Sequence, residues 1–192
     1  MAGGPSLNAS QIMEVYLCGA YCIAVNDTWK IAPFADVVYA NDYLWWARNY
    51  QQTPQHAEKW TGSKTAALEF GINFHEMKET YNSGLRSIDL AIKKGADIII
   101  LLGFDCSFSS GKKHWHGQHE FPLTNPGAHT LLFWKMQFMR LKKKYPESLI
   151  INASGHTELT MFLRMSLTEA LTADKTMLEQ SCFDFNANYR SK

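Results

Sequence analysis

Three histidines in the run His114-Trp115-His116-Gly117-Gln118-His119, and an aspartate closing an apolar run at Gly103-Phe104-Asp105, are the residues of this chain best typed for chemistry. On an extended segment His114 and His116 point to the same side, and with His119 they form a set that zinc can use. No cysteine lies nearby and the spacing fixes no geometry, so no metal ligand is assigned. Alternatively, one histidine serves as general acid or base over a bound substrate, because imidazole titrates near working pH. The third reading is a surface loop whose histidines do no chemistry.

Asp105 belongs to a wider pattern. Four expected strands end in polar residues: Asn26 and Asp27, Asn41 and Asp42, Asp105, then Asn152, Ser154 and His156. Each alone is ordinary turn chemistry, since these side chains bond neighbouring backbone. In a parallel sheet, however, all these ends share one edge, and ligands bind there in open α/β sheets. A glycine-rich turn, Gly3-Gly4-Pro5-Ser6, opens a helix at the same edge and can bring backbone amides to a phosphate. The pattern predicts a ligand crevice along that rim.

The elements that must position these groups follow from periodicity. Leu85, Ile88, Leu90, Ala91 and Ile92 form a stripe near helical period, with Ser83 at the N-cap position and Gly95 past the last turn. Ile98 to Leu102 is too short for a helix and apolar on both faces, as expected of a strand covered on both sides. Asn8 with Gln11 fits a capping box for a helix from about Gln11 to Cys18, and Gly19 stops it. A phosphate loop ordinarily follows a strand, and here the chain begins at the loop, which leaves the first strand absent, truncated or supplied from elsewhere. Strands are predicted at 21–25, 36–40 and 148–151, with a short one at 71–75. Helices are predicted at 128–144 and 158–171, and the aromatic run 44–48 reads as core packing rather than a pocket wall. The polar stretch 51–63 reads as loop, and the last twenty residues show little periodicity. Segment 107–125 is long for a connection and carries Gly111, Gly117 and the three histidines, so it reads as a lid.

The fold class expected is α/β, a single Rossmann-like domain over residues 1–192, mainly parallel sheet with helices on both faces. Nineteen Lys and Arg against eighteen Asp and Glu leave a net charge of +1, which gives no global electrostatic case for nucleic acid or an anionic membrane. Cys18, Cys22, Cys106 and Cys182 form no CxxC pair, consistent with reduced thiols in a cytoplasmic protein. No apolar run approaches membrane-spanning length. A homo-oligomer is left open.

The combination of Gly3-Gly4-Pro5-Ser6-Leu7, a strand ending in Asn26, Asn82-Ser83-Gly84, and Gly95 through the apolar strand to Asp105 resembles the 6-hydroxymethylpterin diphosphokinase-like proteins. These are similar in turn to bacterial sialyltransferases that use a CMP-activated sugar. The stretches from Ala32 to Asp42 and from Lys113 to His119 look most like members found in tailed bacteriophages and prophages, which would place the protein in a host bacterial cytoplasm. The resemblance covers about residues 2 to 165. It implies a Rossmann-like fold with a nucleotide or nucleotide-sugar at the strand ends. Gly3, Gly4, Pro5 and Ser6 would hold phosphate, Asn26 would contact the nucleotide, and Asn82, Ser83 and Gly84 would approach the donor, with Asp42, Asn152 and Ser154 on the same rim. His114, His116 or His119 would be catalytic beside Asp105. The activity implied is a glycosyltransferase-like transfer. The alternatives are a diphosphokinase using ATP and magnesium held by Asp42 and Asp105, and a phage protein that sequesters a host nucleotide without turnover.

Overall fold

The computed structural model describes residues 1–78, 80, 82–107 and 128–190. Its strands pair only in parallel and form two ladders. In the first, β1 (Ile23–Val25), β2 (Val37–Tyr39), β3 (Glu58–Thr61) and β4 (Asn73–Phe74) lie side by side in that order. In the second the order is β5 (Ile98–Leu101), β6 (Leu149–Asn152) and β7 (Leu163–Arg164).

Met1 and Ala2 stitch the ladders together. The Met1 amino group donates to the Ile23 carbonyl at 2.7 Å, and the Val25 amide donates to the Met1 carbonyl at 2.9 Å. On the other side the Ala2 amide donates to the Leu102 carbonyl at 2.8 Å. The first two bonds bracket Ala24 as a parallel strand would. Met1 and Ala2 therefore lie in the central place expected of a strand before the glycine turn.

Helices α1 (Ala9–Cys18), α2 (Tyr43–Asn49), α3 (Lys64–Phe70), α4 (Ser83–Lys93), α5 (Ala128–Lys144), α6 (Leu167–Thr172) and α7 (Lys175–Arg190) cover the strands. Ile99, Leu101 and Ile150 bury against α4 and α5 through Leu85, Ile88, Phe138 and Leu141. On the opposite face Ile12 and Val15 of α1 meet Ala24, Leu102 and Ala153, and Ile151 meets Leu178 and Cys182 of α7. The alternation along β5 and β6 sends neighbouring side chains to different helical layers, which is why both runs are apolar throughout. Trp45 and Trp46 are core, stacked edge-on at 4.9 Å. Among the described residues no helix is long and apolar enough to cross a membrane.

Several boundaries differ from the sequence reading, each for a local reason. The capping box at Asn8 and Gln11 is present, and Gly19 ends α1 with φ of 66°. At α4 the cap is Asn82, whose side chain accepts from the Leu85 amide at 2.9 Å. Ser83 is instead the first helical residue, and its hydroxyl accepts from the Asn41 amide at 3.0 Å. The stretch 51–63 is not all loop, because Glu58–Thr61 forms β3 between β2 and β4. Its polar side chains stay outside, where Glu58 binds Lys94 at 2.9 Å and accepts from the Trp60 indole at 2.7 Å. No helix spans 158–171: Leu159, Met161 and Phe162 bury in irregular chain before β7, and Ser166 with Glu169 caps the short α6. The last residues do form a helix, α7, anchored through Leu178 and Cys182 one turn apart, too sparse a stripe to stand out in sequence.

Candidate functional site

From Met1-Ala2 the chain adds β1 to β4 outward on one side, then returns to place β5 on the other. Open α/β sheets form their ligand crevice at such a reversal, outside the carboxyl ends of the strands. Two turns meet there. The Ser6 amide donates to Asp105 Oδ2 at 2.8 Å and the Ser6 hydroxyl to Oδ1 at 2.5 Å. The Gly4 amide donates to the Gly103 carbonyl at 2.9 Å, and a Cβ at Gly4 would overlap both that carbonyl and the Asp105 carboxylate. Gly4→Ala should therefore push the turn off β5 and cost roughly 1–3 kcal/mol, the usual range for overpacking, as read by urea denaturation.

The amides of Gly4, Ser6, Leu7 and Asn8 are all bonded within the protein. A phosphate reaching the Ser6 amide has to displace the Asp105 carboxylate. Asp105 is 2% exposed. Burial raises its carboxyl above the usual range, partly offset by the Ser6 hydroxyl and amide and by the charge of His156. Each of its oxygens accepts one bond from Ser6, and among the described residues no group of three His, Cys, Asp or Glu stands together as a metal site. Asp42 lies exposed before α2 without capping it.

Behind Asp105, Asn152 and Ser154 act as internal braces. The Ser154 hydroxyl accepts from the Phe104 amide at 2.9 Å, and Asn152 accepts from the Ser154 amide and donates to the Thr157 hydroxyl, both at 3.0 Å. Thr157 donates on to the Phe104 carbonyl at 2.7 Å. Both Asn152 and Ser154 are buried, with their polar groups spent on the protein. The neighbouring turn carries Gly155 against Ser6 and leaves His156 exposed beside Asp105.

The ends of β1 and β2 are different. Asn26 adopts a left-handed φ of 50°, rare for a residue with a side chain, and begins a 3₁₀ turn over Asn26–Lys30. Its Oδ1, the Thr28 hydroxyl, the Trp29 indole nitrogen and Asn41 Oδ1 are buried without a hydrogen-bond partner, and no other side-chain atom of the described residues is in that state. Each such atom costs about 1–3 kcal/mol unless something bonds it. Asn41 Oδ1 sits with the Arg86 guanidinium against Gly62, at the end of β3, where a Cβ would overlap both. The Asn41–Ser83 bond ties this cluster to the start of α4, and Gly84 there lies flat against the Phe104 ring. Asp27 is held by Lys30 at 2.6 Å and the Trp45 indole at 3.3 Å.

The rim residues named from sequence thus fall into three groups. Gly4 and Ser6 of the turn Gly3-Gly4-Pro5-Ser6 meet Asp105; Asn26 belongs to the orphaned cluster, which Ser83 links to the start of α4 beside Asn82 and Gly84; Asn152 and Ser154 brace the Asp105 turn from behind. Thr28 and Trp29 complete the cluster with Asn41 and were not singled out from sequence, because a missing partner is a property of packing and leaves no trace in a linear pattern. His114, His116 and His119, and residues 108–125 of the expected lid, lie outside the described residues. No family model, curated protein or solved structure matches this chain.

Proposed function

We propose that this chain is a nucleotide-dependent transferase, glycosyltransferase-like, whose single Rossmann-like domain holds a nucleotide or nucleotide-sugar across the crevice between Ser6 and Asn41. The observation that carries the nucleotide reading is the concentration of orphaned polar atoms at the ends of β1 and β2. In dinucleotide-binding folds the ribose is read about 20 residues beyond the glycine turn, and Asn26 has that place. Two amide oxygens accept from ribose hydroxyls or an exocyclic amine, and the Trp29 indole donates to a base carbonyl. The amino-terminal ends of α1 and α4 supply positive potential for the phosphates. The resemblance of the glycine turn and of Asn82-Ser83-Gly84 to nucleotide-sugar enzymes supplies the reaction class. In that reaction an acceptor hydroxyl attacks the anomeric carbon, the bond to the phosphate oxygen breaks, and the proton passes to a base among His114, His116 and His119. The developing phosphate charge is stabilised by amides, with Ser6 exchanging Asp105 for phosphate.

A thermal-shift panel of CMP, UDP, GDP and ATP, with and without Mg²⁺, tests the reading. A nucleotide at 100 times its Kd adds about 2.7 kcal/mol to the folded state. No shift with any of them overturns it, and a shift without release of free nucleotide in the presence of acceptors leaves a binder that sequesters its ligand. Asn41→Leu separates ligand binding from folding. Removing an orphaned amide in favour of an apolar group of similar shape should leave the free protein as stable or raise its Tm. The same change should abolish most of the ligand-induced shift.

A further inference from the structure

Helix α1 is apolar on both sides. Its inner residues Ile12 and Val15 bury against Ala24, Leu102 and Ala153. A helix turns about 100° per residue, which brings Ala9, Met13, Tyr16 and Leu17 together on the outer side, with Ser10 at their margin. Met13 is 55%, Tyr16 57% and Leu17 75% exposed, and Ala9 and Ser10 are exposed beside them. Glu14 is the one charged residue of α1, and it stands roughly a quarter turn off this stripe. The Tyr16 ring rests on Phe34, with 5.2 Å between centroids, so the stripe has a fixed aromatic at its middle. A surface helix ordinarily turns charged and polar residues to water, and contiguous exposed apolar patches mark interaction sites.

We propose that this stripe is the contact face of a homodimer, in which α1 of a second copy packs antiparallel across a two-fold axis at Met13. Charge decides the occupant. A lipid surface calls for Lys or Arg beside the apolar residues, and α1 has neither. A charged partner finds no counter-charge in the stripe, whereas a second copy meets no like charge there. Tyr and Met are also enriched, and charged residues depleted, at the core of protein interfaces. Side-chain size decides the direction. Reversal about Met13 sets Leu17 over Ala9 and Tyr16 over Ser10 across the axis, large against small, and Met13 meets its own copy, as an isologous contact requires. A parallel pair would crowd Leu17 on Leu17 and leave Ala9 facing Ala9. Antiparallel packing also opposes the two helix dipoles. The stripe offers roughly 500 Å² per copy and about 1,000 Å² in the pair, the lower bound for a specific interface, so the dimer has a Kd on the order of 10 µM.

The test is sedimentation velocity of the full chain at concentrations from about 1 to 200 µM, a range that brackets the expected Kd. Monomer–dimer mass action is expected. Met13→Glu, which sets two carboxylates on the axis, should weaken association by roughly 100-fold or more and leave Tm unchanged, because the side chain is exposed. Leu68→Glu on α3, at a residue 86% exposed but outside the stripe, should leave the dimer intact. Cys18→Ser removes the exposed thiol of α1. In that background Met13→Cys should be cross-linked between copies by a bis-maleimide spanning about 8–10 Å, the usual distance between packed helix axes. A chain that stays monomeric at about 200 µM overturns the proposal. So does a dimer indifferent to Met13→Glu, or one that fails to cross-link through position 13. Binding of the monomer to phosphatidylserine vesicles, lost in Met13→Glu, also overturns it by making lipid the occupant.

Discussion

Asp89→Ala should destabilise the protein by roughly 3–5 kcal/mol at neutral pH, the range for removing one partner of a buried ionic cluster. Asp89 lies on α4 with no exposed surface, and its partners come from α4 itself, from the turn past β4 and from the end of α5. His75, just past β4, donates Nε2–H to Oδ2 at 2.8 Å and receives the Tyr39 hydroxyl of β2 on Nδ1 at 3.1 Å. Lys93 reaches Oδ2 at 2.6 Å, and Tyr145, beyond α5, donates to Oδ1 at 2.7 Å, with Lys144 at 3.4 Å. Without the carboxylate, a buried imidazole N–H loses its acceptor and two ammonium groups lose their counter-charge.

Burial alone would raise the Asp89 carboxyl, but the hydrogen bonds from His75, Lys93 and Tyr145 and the charge of Lys93 outweigh it and hold the group well below the usual carboxylate range. A depressed folded-state value means that the contribution is complete above the unfolded value, near 3.9, and is lost as pH falls toward the folded one. The gap between wild type and Asp89→Ala in urea denaturation should thus be full at pH 7 and close progressively below about pH 4. A gap that stays constant to pH 2 would refute the ionic account. Tyr39 stays out of this titration, since burial pushes its phenol up to about 12.

The second large effect is expected at Arg86, which is 3% exposed and forms no ion pair with the described carboxylates. Its Nε donates to the Thr80 carbonyl at 2.7 Å, Nη1 to His75 at 3.0 Å, and Nη2 to Met77. One side chain thereby clamps the segment that runs from β4 to the Asn82 cap. Hydrogen bonds to a charged group are worth about 1.5–3 kcal/mol each, and lysine cannot reproduce a planar fork with three directions. Arg86→Lys should cost about 3 kcal/mol. It should also speed hydrogen exchange at the Leu85 amide, which depends on the cap. Unchanged exchange there would mean that the clamp does not set the start of α4.

What was legible in sequence is what local chemistry dictates. Asn8 with Gln11, Gly19 and the run from Ile98 carry their own caps, stops and burial, so α1 and β5 could be read directly. Asp105 was legible as a strand end, but its partner Ser6 is 99 positions away, and no spacing encodes the pair. β3 escaped because it trades apolar side chains for Glu58, Lys59 and Trp60 and is secured by backbone pairing with β2 and β4. His75, Asp89 and Arg86 looked like scattered polar residues. Their importance comes from burial, which sequence pattern does not report for a lone charge on a helix.

The position of Met1-Ala2 constrains how the chain can be made. Met1 and Ala2 precede β1 in the sequence, yet Ala2 bonds Leu102, so the central seam waits until β5 has left the ribosome. The ladder from β1 to β4 needs only residues up to Phe74 and can assemble earlier, with one edge open. Contacts this distant in sequence slow folding and lengthen the exposure of unpaired strand edges. The vulnerable species in the cell is therefore a nascent half-sheet whose free β1 edge remains sticky until translation reaches β5.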